Sequence, residues 1–248
     1  MIKVSEKQKR FEDLSARSDR TGCLVYSDFL GMKDTSELRQ KSFSVPVTLW
    51  GGYEGAERLM ACFGDRAGIA DNSDYPIKCI LIEPVNQKFA DKLAHRDFLG
   101  ALINLGIRRS VLGDIVISKN CGYIFCLDTI CDYITENLVK VKHTAVKCSV
   151  TDKIPEDSIS EPENEEFIVA SNRLDVIAAA VYSLSRSKVQ ELFKNEKIYV
   201  NGVITTVPSY IPHEGAKISV RGFGRFVFNG EIRKTKKERS VISVGVYK

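Results

Sequence analysis

The sequence predicts an α+β fold in three parts, and three observations carry that prediction. Between residues 77 and 150, strand-like and helix-like segments follow one another in the order β-α-β-β-α-β. The acidic, proline-bearing stretch TDKIPEDSISEPENEE then breaks the apolar pattern and marks a border near residues 155–170. Beyond it, two short amphipathic helices lead into alternating strands. A chain of 248 residues can bury one large core or several small ones. Its 44% hydrophobic and 27% charged residues fit a soluble globular protein, not a disordered, fibrous or membrane-embedded one.

The first part, residues 1–75, is read as an N-terminal region of helices and strands. Residues 3–20 are polar with Phe11 and Leu14 at helical spacing, and DTSELRQ is a second short helix. FSVPVTLW reads as a strand ending in GGYEG, whose three glycines permit a tight turn. In the second part, residues 76–155, IKCILIEP, GDIVIS, YIFCL and TAVKCSV are strands, while KFADKLAHRDFLGALINLG and DTICDYITENL are helices. That order is the ferredoxin-like (split βαβ) arrangement, with helices on one face of an open antiparallel sheet and the other face free for RNA, solvent or a partner. Residues 156–170 are expected to be an acidic linker, and residues 171–248 a small domain with a basic extension.

The formal charge of +4 is unevenly placed. Residues 171–248 hold fourteen Lys/Arg against six acids, a balance of +8, whereas residues 151–170 carry −6 and residues 1–150 carry +2. Such asymmetry is the footprint of a polyanionic partner.

Within the basic part, Leu174, Ile177, Ala178 and Val181 form the buried stripe of a first helix, with Arg173 at its entrance. Ser185 offers an N-cap hydroxyl to a second helix whose core face is Val189, Leu192 and Phe193. Ser187, Gln190 and Lys194 point away from that core, with Arg186 and Lys188 in the first turn, where free N–H groups and the macrodipole favour a phosphate. Asn201-Gly202 is a two-residue hairpin turn. In ISVRGFGRFVF, alternation places Arg221, Phe223 and Arg225 on one strand face, where two guanidiniums flank a ring able to stack on an unpaired base. RGFGRFVF misses the RNP1 pattern, because Arg225 stands where an aromatic is required.

LSRSKVQELFKNEKIYVNG and the basic strand after it resemble the S4-type RNA-binding domain (αL motif), over about residues 171–222. GGYEGAER, HRDFLGALINLGIRRSVLGDIVI and VRGFGRF extend the likeness to the YlmH group of S4-domain proteins. The resemblance implies a middle RNA-binding domain before the S4-type domain. It also implies a ribosome-linked role: binding structured rRNA on the large ribosomal subunit with peptidyl-tRNA in rescue of stalled translation, with tRNA and cell-division proteins as further partners in some bacteria. Carried onto this chain, the RNA-contacting positions are Arg173, Arg186, Ser187, Lys188, Gln190, Lys194 and Asn201; Ser185, Arg221, Phe223 and Arg225 join them on the residue-level reading above.

Other signals are set aside. His95-Arg96-Asp97 matches the kinase catalytic triplet, but Leu102 stands where that loop needs Asn. Arg173-Leu174-Asp175 matches the RLD of pseudouridine synthases without its Thr- and Gly-containing context, which leaves Asp175 as a helix-start residue. Cys121, Cys126 and Cys131 show no CxxC spacing, and no phosphate loop or dinucleotide fingerprint is present. No catalytic residue, metal or cofactor is expected. An rRNA-modifying enzyme of pseudouridine synthase type and a cell-division adaptor are the alternatives. The seven scattered cysteines fit reduced, mostly buried thiols, and with no apolar run near the ~18 residues of a spanning helix, a cytoplasmic protein without membrane contact is expected.

Overall fold

The computed structural model describes residues 6–65, 71–152, 154 and 162–247. Two compact units divide the chain: Met1–Asp34 with Lys41–Ile159, and Thr35–Gln40 with Ser160–Lys248.

The first unit opens with helix α1 (Glu6–Thr21), strand β1 (Val25–Leu30) and helix α2 (Met32–Arg39), whose second half is counted with the other unit. Strands β2 (Val47–Trp50) and β3 (Leu59–Phe63) complete a three-stranded antiparallel sheet in the order β1-β3-β2. Next come β4 (Ile77–Pro84), α3 (His95–Asn104), β5 (Leu112–Ser118), β6 (Cys121–Leu127), α4 (Cys131–Asn137), β7 (Lys140–Val141) and β8 (Thr144–Thr151). Their sheet order is β5-β6-β4-β8-β7, antiparallel throughout. Read from β8 to β5 it is the split βαβ order the sequence predicts, with β7 added at the edge.

Strand alternation sorts the side chains of this sheet. Ile80, Ile82 and Ile124 face the helices and are fully buried with Phe98 and Leu102 of α3 and Ile134 of α4. Each such side chain contributes about 1.5–3 kcal/mol of burial. Helix α3 is shorter than the expected 88–106. Asn86 caps a separate turn by accepting from the Lys88 N–H, the Asp97 carboxylate takes the Ala94 N–H where α3 starts, and Gly106 at φ +81° ends it.

The opposite sheet face is not free. Cys79 and Phe125 pack there against Phe29, Met60, Cys62 and Tyr75, so the N-terminal strands cover it. Tyr53 stacks on Phe125 at 5.0 Å, and Gly52 approaches so closely, at φ +99°, that a Cβ there would lie 2.3 Å from the Phe125 ring. The expectation of an open face fails because the apolar residues of β1 and β3 need a partner of their own.

GGYEGAER and the segment around Gly113 meet in a polar knot. Asp114 accepts from the Tyr53 hydroxyl (2.9 Å) and from the Glu57 and Arg58 N–H groups (2.7 and 3.1 Å). Arg58 donates onward to the carbonyls of Leu112, Phe29 and Arg109, and Arg109 to those of Leu112 and Gly113. Burial lowers the pKa of both guanidiniums, that of Arg109 to about 10 with the Arg58 charge adding to the shift.

The second unit contains β9 (Glu163–Val169), α5 (Leu174–Val181), α6 (Arg186–Lys194), β10 (Ile198–Val200), β11 (Val203–Ile204), β12 (Ala216–Val220), β13 (Gly224–Lys234) and β14 (Ser240–Val246). They form a six-stranded sheet, β11-β10-β12-β13-β14-β9, packed on α5 and α6 through Ile177, Phe193, Ile218, Phe226 and Ile242. The stretch read as an acidic linker over 156–170 is corrected in its second half. Glu163–Val169 is a strand paired along β14, with Val169 and Phe167 turned to the core and Glu166 outward. Dense charge hid an alternating pattern. Residues 155–161 lie outside the described residues.

Candidate nucleic-acid interface

Helix α6 is built as its residues dictate. The Ser185 hydroxyl accepts from the Lys188 N–H at 3.2 Å, and Val189, Leu192 and Phe193 are buried to 2% exposure or less. Arg186, Ser187, Lys188, Gln190 and Lys194 are all exposed. Among the described residues no ion pair engages Arg186 or Lys194. Lys188 pairs with Glu191 at 2.9 Å, one turn along, and that bond with the Lys188 charge lowers the Glu191 pKa. An exposed pair of this kind is worth little and exchanges readily for a phosphate. The Ser187 and Ser185 hydroxyls lie 3.0 Å apart, so Ser187 supports the cap as well as facing solvent.

The other predicted positions divide. Arg173 is exposed but held in a two-point contact with Asp175 (3.1 and 2.8 Å), which raises its pKa. Asp175 also accepts from the Val176 N–H, the helix-start role expected of it. Asn201 and Gly202 have φ of +50° and +76°, as a type I′ hairpin turn between β10 and β11 requires. The Asn201 side chain is exposed but tied to neighbouring residues: its oxygen accepts from the Lys217 N–H at 2.9 Å and its amide lies 3.2 Å from the His213 ring. Its carbonyl takes an Arg39 guanidinium N–H.

Arg221, Phe223 and Arg225 do not share a strand face. Strand β12 ends at Val220, which pairs with Gly224, so Arg221 and Phe223 sit in the turn between, while Arg225 lies in β13. The glycines at 222 and 224, with φ of +92° and +126°, fold back what alternation would have kept extended. The Phe223 ring, 40% exposed, rests 5.8 Å from that of Tyr182, just ahead of the Ser185 cap. The turn therefore lays Phe223 on Tyr182, the residue that caps the end of α5. The Arg221 N–H donates to the Lys197 carbonyl, and the Arg225 guanidinium lies 4.4 Å above the Tyr247 ring.

Tyr182 is the contributor that sequence reasoning passed over. Its hydroxyl is buried without a partner among the described residues, and burial pushes its pKa up to about 12. Only its position within VYSLS, at the end of an apolar helix, could have marked it. The cysteines at 126 and 131 are buried with raised pKa values, chiefly through burial.

Comparison with known proteins follows the same division. Residues 70–154 match the family described as "Putative RNA-binding domain in YlmH", and residues 173–218 match the S4 domain. The chain is 33% identical over 202 residues to "Ribosome-associated protein quality control protein P2" of Bacillus subtilis (strain 168), covering 79% of this chain and 76% of that protein. The chain belongs to the YlmH family. A solved structure titled "Cell division protein ylmH from Streptococcus pneumoniae" is 19% identical, with a TM-score of 0.47, over 59% of this chain and 92% of that one. In this YlmH-family chain the S4 match ends within β12, and β13, β14 and β9 continue the same sheet beyond it. No helix among the described residues is long and apolar enough to cross a membrane.

Proposed function

We propose that this YlmH-family protein binds structured ribosomal RNA on the ribosome and catalyses no reaction there, with the exposed face of α6 as its principal contact. The observation that carries this reading is that Arg186, Lys188 and Lys194 stand exposed on a capped helix whose other face is wholly buried. The helix can thus grip phosphates without giving up its core. Glu166, from the acidic stretch that could have neutralised these cations, pairs with Arg233 instead. The name of the Bacillus relative supports ribosome-associated quality control as the setting, and within it the large subunit carrying peptidyl-tRNA is the binding place this reading assigns. A pseudouridine synthase reading of the Arg173-Leu174-Asp175 triplet requires Asp175 as a nucleophile, whereas here Asp175 lies in the first turn of α5 and accepts from the Val176 N–H, a helix-start role.

Cosedimentation with ribosomes tests the reading. Arg186→Glu with Lys188→Glu should detach the protein while its circular dichroism and melting stay unchanged. With about six cationic contacts, affinity for rRNA should fall with a log–log salt slope of about −4 to −5. Unchanged cosedimentation of the double variant, or a salt-insensitive affinity, overturns it.

A further inference from the structure

We propose that the middle domain holds a second RNA site, in the groove between α3 and the segment that joins α4 to β7, and that it takes a single unpaired strand. The inference rests on the RNA-binding reading above and locates a contact that α6 does not supply. The groove, about 490 Å³, is lined by Arg96, Asn104, Asn137, Lys140 and Lys142, with Asp97 as its carboxylate. Asp97 is engaged with the Ala94 N–H at 2.9 Å, and Arg96 stands 4.0 Å from it with its side chain 89% exposed. Lys140 and Lys142 are exposed and in no ion pair among the described residues.

Three features point to an RNA strand. The cations stand on both sides, Arg96 on α3 and the two lysines on the β7 hairpin, so a phosphodiester chain lying between them meets positive charge along its length. Val139, 67% exposed on the wall, offers apolar surface to a ribose or base, and the Asn104 amide can pair with a base edge or a 2′-hydroxyl. Finally, the sheet face through which an open βαββαβ sheet could meet RNA is covered by Phe29, Met60 and Cys62. In this domain the helix side is left for the ligand. Arg109, which follows α3 in sequence, is turned inward onto the Leu112 and Gly113 carbonyls and takes no part.

The test uses the full-length protein and a fluorescent RNA hairpin, with and without long unpaired tails. The wild type should bind the tailed hairpin at least about tenfold more tightly, with a salt slope steeper by about 2, as three contacts to a single strand require. The variant Arg96→Glu, Lys140→Glu, Lys142→Glu should bind both hairpins alike, at the wild-type affinity for the tail-less one. Single Lys140→Gln and Lys142→Gln changes should each remove part of the tail effect. A tail effect that survives the triple variant, or no tail effect in a wild type that still binds the hairpin, overturns the groove and leaves the α6 reading standing. Failure of the wild type to bind either hairpin overturns both.

Discussion

Replacing Asp114 by Ala isolates what the polar knot contributes to the first unit. The carboxylate satisfies the Tyr53 hydroxyl and the Glu57 and Arg58 N–H groups, and its charge opposes those of Arg58 and Arg109, both partly buried. Removing one partner of a buried ionic network costs about 3–5 kcal/mol, since the remaining charges keep their desolvation penalty. Asp114 is itself half-buried, which places the expected loss near the lower end, about 3 kcal/mol. At a urea dependence of about 2 kcal/mol per molar, the unfolding midpoint should fall by about 1.5 M. Trp50, the chain's single tryptophan, lies in β2 within the same apolar cluster as Phe125 and reports this unit by fluorescence. Tyr53→Phe, which removes one hydrogen bond and keeps the charge, should cost only about 1 kcal/mol. Asp114→Asn should recover little, because one of its two acceptors becomes a donor facing donors. A midpoint shift below about 0.5 M for Asp114→Ala, or equal losses for Ala and Phe variants at the two positions, would refute the idea that this carboxylate holds the GGYEGAER loop to the sheet.

Other outcomes follow from the same geometry. Tyr182→Phe should raise the stability of the second unit by about 1 kcal/mol, measured by thermal unfolding, because the buried hydroxyl has no partner to lose among the described residues. Burial lifts the Tyr182 phenol from 10.0 to about 12, so the unfolded chain ionises first. The contribution of the neutral phenol is complete below pH 10 and is lost as pH climbs toward 12, by about 1–2 kcal/mol after allowance for solvent screening. Tyr182→Phe should flatten that alkaline decline as followed by circular dichroism, and an unaltered profile would count against the assignment. Ser185→Ala should cost about 1 kcal/mol and weaken RNA binding, whereas Ser185→Asp should keep stability but still weaken binding, since it sets a negative charge where a phosphate belongs. Gly52→Ala should destabilise the first unit by more than about 2 kcal/mol in urea titration, from a left-handed φ and a Cβ driven into the Phe125 ring.

The amino-acid sequence alone determined whatever depends on neighbours within a few positions. The capped helix at Ser185, its exposed Arg186, Lys188 and Lys194, the Asn201-Gly202 turn and the β-α-β-β-α-β order all follow from local spacing, turn chemistry and charge, and all are present. Tertiary structure decided what depends on residues far apart in the chain. Only folding shows that β1 and β3 cover the sheet face left open by its pattern, because burial is shared between segments whose separation leaves no periodic trace. Only pairing with β14 reveals that Glu163–Val169 is a strand, since its charged outer face masks the inner one. Two glycines with positive φ turned an apparent Arg-Phe-Arg strand face into a loop that lays Phe223 on Tyr182. Likewise the groove cations at 96, 140 and 142 are distant in sequence and become neighbours through the packing of α3 beside the β7 hairpin. A one-dimensional pattern records which side of an element is apolar, and the partner that side meets is chosen by the rest of the chain.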